Sequence, residues 1–124
     1  MTGLSPFSYA LVRVVPRIER GECVNVGVLL FCKSRDFLAL GVRIDDARLA
    51  AFAPGLDLGA VRAALAGWAG TCAGEGPAEG KSLGERFGWL TAPRSTIVQP
   101  GPTHLGLTGD PGAELARLVE LLVG

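Results

Sequence analysis

The run from Cys23 to Cys32 restricts the fold more than any other segment, because Val24, Val26 and Val28 alternate strictly with Asn25 and Gly27. A period of two built on β-branched residues fits a strand with one buried face and has no helical counterpart. Tyr9 to Val15 has the same character and reads as a second strand. Between them, Ile18-Glu19-Arg20-Gly21-Glu22 supplies charge and a glycine able to adopt positive φ, as a hairpin loop requires. Pairing the hairpin about Arg20 sets Arg17 opposite Cys23, Val15 opposite Asn25, Arg13 opposite Gly27 and Leu11 opposite Leu29. One face then carries Val12, Val14, Val24, Val26, Val28 and Leu30, and the other carries Arg13, Arg17 and Asn25 around the bare Gly27. The first face is expected to be the core side, the second a polar working surface.

A third strand, Phe37 to Ile44, follows the polar turn Lys33 to Asp36. Helices come next. Asp45 or Asp46 caps a short one ending at Pro54-Gly55, and Asp57 caps a longer one whose Leu58, Val61, Leu65, Trp68 and Cys72 form one apolar stripe. Ala73 to Gly84, with four glycines and a proline, reads as an exposed, mobile loop. Glu85 to Leu90 is a short helix or turn presenting Phe87, Trp89 and Leu90. Ser95 to Gln99 and Thr103 to Leu107 are strand-like but interrupted by Pro100 and Pro102, so they read as an edge strand and a loop. Asp110 caps a last helix that begins at Pro111 and lays Leu115, Leu118, Val119 and Leu122 on the sheet. The expected architecture is α+β: one domain, an antiparallel meander, and helices packed on one face.

Composition excludes several classes. Twelve basic and twelve acidic residues cancel, so no global field draws the chain to long nucleic acid or to an anionic membrane, and any anion site must be local. No apolar run is long enough for a spanning helix, and the first six residues lack the features of a signal peptide, so a cytoplasmic location is expected. Three cysteines in such a chain argue against a disulfide framework. Cys23 and Cys32, at opposite ends of one strand about 30 Å apart, cannot share a bond or a metal. Cys32 and Cys72 read as small buried hydrophobes.

Chemical motifs are few. The stretch Gly74 to Ser82 imitates a phosphate-binding loop, but the glycine required five residues before Gly80-Lys81-Ser82 is replaced by Glu75, and Glu75 and Glu79 would repel phosphate. His104 is the only histidine and has no cysteine near it in sequence, so neither a metal nor a cofactor is expected. Two segments concentrate the remaining polar groups: Arg13 to Asn25, and Pro93 to His104. In the second, prolines stiffen a stretch bearing Arg94, Ser95, Thr96, Gln99 and His104, and a fixed backbone lowers the ordering cost of binding. Arg13 and Arg17, about 13 Å apart along a strand, cannot grip one small anion together, and Glu19 or Glu22 is near enough to pair with them. A nucleophile built on Ser95 or Thr96 with His104 or Glu22 as acid or base is conceivable, although no Gly-x-Ser-x-Gly elbow is present.

Two longer motifs, YALVRVVPRIERGECVNVGV over 9–28 and RFGWLTAPRSTIVQP over 86–100, occur in this order. In them the chain closely resembles the uncharacterised bacterial family known as domain of unknown function 3037, over essentially its whole length. The pattern is kept at Arg13, Pro16, Arg20, Gly21, Glu22, Asn25, Gly27, Pro93, Arg94, Ser95, Thr96 and Gln99. The resemblance implies a shared working surface and, through gene neighbourhood, a HipA-like kinase as partner. Three readings follow. The first is a non-catalytic module that binds a protein through Arg13, Arg17, Arg20, Glu22, Asn25 and the Arg94 to Gln99 segment. The second is recognition of a phosphate-bearing ligand or nucleic acid by Arg13, Arg17, Arg20 and Arg94, with Tyr9 or Trp89 for stacking. The third is a small hydrolase or transferase using Glu22, Ser95 and His104.

Overall fold

The computed structural model describes residues 3–123; Met1 and Thr2, part of the segment read above for a leader, and the final Gly124 lie outside it. Four strands, β1 (Ser5–Val14), β2 (Val24–Cys32), β3 (Phe37–Val42) and β4 (Val98–Thr108), form one antiparallel sheet in the order β3-β2-β1-β4. The helices are α1 (Asp46–Phe52), α2 (Leu58–Cys72), α3 (Leu83–Thr91) and α4 (Pro111–Leu122). Each starts where its cap dictates. Asp45, Asp57, Ser82 and Asp110 all accept a first-turn backbone N–H, and Glu85 returns the bond to Ser82 as a capping box. Among the described residues, no helix is long and apolar enough to cross a membrane.

The α+β class and the antiparallel sheet are as expected, while the register and the use of the two faces differ. Val12 pairs with Gly27 and Arg13 pairs with Asn25, so Val26 is an extra residue facing Val12 together with Gly27. This is a β-bulge, and it inverts the side-chain parity of β2. Before it, Val24 and Val26 join Val12 and Val14 in one core; after it, Val28 and Leu30 point the other way, while Leu29 takes their place in the first core. The single apolar face expected from simple alternation is thus divided between two. Arg13 faces Asn25 rather than Gly27, Leu11 faces Val28 rather than Leu29, and Arg17 lies in the turn and not on a strand. The physical reason is that Val28 to Cys32 carries no polar side chain, as a strand buried on both sides requires.

Helices therefore cover both faces instead of one. Leu49 of α1, Val61, Leu65 and Trp68 of α2, and Phe87 and Leu90 of α3 pack on the first face. Leu115 and Leu118 of α4 pack with Phe7, Val28, Leu30 and Cys32 on the second. Each aliphatic side chain so buried contributes about 1.5–3 kcal/mol. Two glycines let the layers close. A Cβ on Gly27 would stand 2.7 Å from the Gly41 carbonyl oxygen, and one on Gly41 would stand 2.6 Å from a Val119 methyl of α4.

Two further expectations are corrected. Pro100 and Pro102 do not break the chain into a strand and a loop, because β4 runs through both as an edge strand whose register shifts beside them, between Ala10 and Val12 of β1. An edge position and an irregular register are where a missing N–H is tolerated. The glycine-rich stretch from Ala73 to Gly84 is not wholly exposed, since a 3-10 turn at Gly76–Ala78 buries Ala78 beside α2.

Because the atom facing Gly27 is backbone and cannot rotate aside, Gly27→Ala is expected to lower unfolding stability by roughly 1–3 kcal/mol. The comparison is a chemical denaturation curve against Gly3→Ala, where an added Cβ meets nothing.

Candidate functional site

Antiparallel pairing brings the end of β1, the start of β2 and the start of β4 to the same end of the sheet. The two polar segments meet there: Val14 pairs with both Val24 and Val98, and Val15 N–H donates to the Ile97 carbonyl at 2.7 Å. One strand rung inward, Asn25, Arg13 and Gln99 lie side by side across three strands. Arg13 is half-buried and its guanidinium lies over Gly101, where an added Cβ would come 2.9 Å from its Cζ. Arg13 Nε is shielded from solvent and has no hydrogen-bond partner among the described residues.

Most of the other polar candidates serve the fold itself. Arg94 donates to the Trp89 carbonyl at 2.6 Å and to the Leu90 and Ala92 carbonyls, closing the C-terminal end of α3, and its guanidinium sits 5.1 Å from the Trp68 ring centroid. The last carbonyls of a helix attract cations for this reason. Thr96 Oγ1 donates to the Val98 carbonyl, Gln99 Nε2 to the Thr96 carbonyl, and Asn25 Nδ2 to the Leu122 carbonyl at the end of α4. Arg17 pairs with Glu19 at 3.1 Å and Arg20 with Glu22 at 2.6 Å, both on the surface. Exposed pairs of this kind contribute little to stability.

The catalytic constellation is not assembled. Ser95 is exposed at the loop end, whereas His104 packs tilted against Tyr9, with ring centroids 5.2 Å apart, six residues along β4 from Val98. At strand rise that separation is roughly 20 Å. Glu22 lies in the β1–β2 loop, where the Arg20 guanidinium holds its carboxyl below the usual range by hydrogen bond and charge. A general acid–base group is most effective with a pKa near the working pH, so this shift runs the wrong way. Among the described residues, no three His, Cys, Asp or Glu side chains converge as metal ligands would.

What this end of the molecule offers instead is apolar relief. An open cleft of about 640 Å³ is lined by Ile18, Trp68, Trp89, Arg94 and Ile97 and floored by small residues of α2. Across Ile97 lies a second cleft of about 500 Å³, bounded by Pro16, Arg17, Arg20, Glu22 and Phe52. Trp89, Ile18 and Ile97 are 48%, 49% and 39% exposed. Ile18, Ile97 and Phe52 were absent from the sequence candidates. Their signal was an isolated large apolar residue inside an otherwise polar turn or before Pro54-Gly55.

A family model described as "Protein of unknown function (DUF3037)" matches residues 9–123. The chain belongs to this family. No curated protein and no solved structure matches it. The match to DUF3037 takes in both polar segments and every residue lining the two clefts.

Two outcomes are expected. Arg94→Ala destabilises the protein by about 1–2 kcal/mol through loss of the α3 carbonyl bonds; in the same thermal melts Ser95→Ala leaves it unchanged. The second concerns pH. Burial pushes the Cys72 thiol up to about 11 from an ordinary 9.0. The native state therefore holds this proton longer than the unfolded chain, so the contribution is intact below pH 9.0 and is lost as pH rises toward about 11. Urea midpoints measured across that window should fall less for Cys72→Ala than for the unaltered protein.

Proposed function

We propose that this member of DUF3037 is a non-catalytic docking module that binds another protein through the paired clefts at the loop end of its sheet. The observation that carries this reading is the exposure of Trp89, Ile18 and Ile97 around one concave surface, while the neighbouring polar groups are engaged by the fold's own backbone. A large aromatic at the centre of a desolvated patch with arginines at its margin has the composition of a protein-binding hot spot. Arg17, Arg20 and Glu22 form the polar rim, and Arg94 holds the floor. As the partner we propose a HipA-like kinase, the class that the family resemblance suggests.

The test is co-purification from the native host with the genomic neighbours present, followed by calorimetry with the captured kinase. Trp89→Ala is expected to weaken the complex by at least about 2 kcal/mol, near thirtyfold, with the fold intact. Failure of any kinase to co-purify, or undiminished affinity of Trp89→Ala, would overturn the reading.

A second reading rests on Arg13, which pairs with Asn25 and Gln99 across the strands and whose guanidinium has no carboxylate partner among the described residues. It fits a small phosphate-bearing ligand. Binding of that kind weakens as salt rises and is lost in Arg13→Gln, and a salt-independent affinity rejects it.

A further inference from the structure

The far end of the sheet poses a separate problem. β4 is an outer strand, so among the described residues one row of its backbone N–H and C=O groups has no strand beside it. Natural edges are protected by charge, proline, bulges or a covering element. The other edge, β3, is short, with α2 against one side and α4 against the other. The outer half of β4, Thr103 to Thr108, has none of these devices. It contains no charged residue and no proline, its register with β1 is regular, and Leu105 and Leu107 stand 81% and 63% exposed.

These leucines are not isolated. Leu105 pairs with Ser8 and Leu107 with Pro6, so both lie on the face of the sheet that also takes Pro6, and Leu4, just before β1, is itself 54% exposed. The result is a contiguous apolar corner beside an open backbone edge. On the opposite face Gly106 is roofed by Phe7, whose ring carbon Cζ would stand 2.6 Å from a Cβ there. No side chain of residue 106 obstructs an approaching strand.

We propose that this edge is the contact between two copies of the chain, joined antiparallel about Gly106 into one eight-stranded sheet. The argument for a second copy rather than another peptide is self-complementarity. The core Leu105-Gly106-Leu107 is symmetric about Gly106, and beyond it His104 would face the uncharged Thr108. A two-fold pairing on that residue sets Leu105 opposite Leu107 of the second copy and Leu107 opposite its Leu105. All four leucines then meet on one face, in a contact that closes on itself. Absence of charge between Thr103 and Thr108 leaves no like-charge repulsion when the strand meets itself.

The experiment is light scattering coupled to size exclusion, from low micromolar to submillimolar protein, on the full chain. A concentration-dependent dimer is expected, and Leu105→Glu and Leu107→Lys should each return it to monomer while circular dichroism stays unchanged. The register is checked by mixing Leu105→Cys with Leu107→Cys, each carrying Cys23→Ser, under mild oxidation. The mixture should form a covalent heterodimer that neither variant forms alone. A monomer at every concentration, a dimer indifferent to both charged variants, or linkage of Leu105→Cys to itself would each overturn the proposal.

Discussion

The extra residue at Val26 governs the rest of this structure. A regular hairpin would keep Val24, Val26, Val28 and Leu30 on one face, with Leu29 and Phe31 on the other. With Val26 and Gly27 both set against Val12, the apolar side chains beyond them divide between the two faces, and each face must then find its own cover. The α1 to α3 group supplies one and α4 the other. The bulge also demands a bare position, because Gly27 lies against the Gly41 carbonyl at the rung where β2 changes parity. The bare position at Gly27 is filled by the fold's own backbone.

That division decides what the loop end of the sheet can do. At the loop end the polar side chains Arg13, Asn25 and Gln99 stand one rung in from the strand ends, and the others lie in the connections. There they meet helix ends: Asn25 bonds the end of α4 and Arg94 the end of α3. A buried helix terminus must have its carbonyls satisfied, so these residues are held by the fold before any ligand is considered. Subtracting them leaves Arg13, whose Nε has no hydrogen-bond partner among the described residues, and a set of exposed apolar residues. The balance of the site moves from hydrogen-bonding chemistry toward surface complementarity.

Much of this was legible in the sequence, and the parts that were not share a cause. Caps at Asp45, Asp57 and Asp110, the stripe Val61, Leu65 and Trp68, and the Pro111 start of α4 are local signals, read within a few residues of where they act. The meeting of the two polar segments has no local signal, because it depends on β4 returning beside β1. The register failed for a different reason. A bulge adds one residue without changing composition, so alternation through Val28 looks unbroken while parity has already inverted at Val26. Ile18 and Ile97 escaped because an apolar residue in a polar turn carries no period.

The two prolines of β4 illustrate how one strand can be protected and open at once. Pro100 and Pro102 sit where β4 departs from regular pairing with β1, and they leave that stretch unsuited to accept a further strand. Beyond Thr103 the ladder is regular again and carries only His104, the two leucines, Gly106 and Thr108. Protection thus stops about midway along the edge, on the side away from the clefts. The clefts and the open half of β4 lie at opposite ends of the same strand pair, so each can be occupied without obstructing the other.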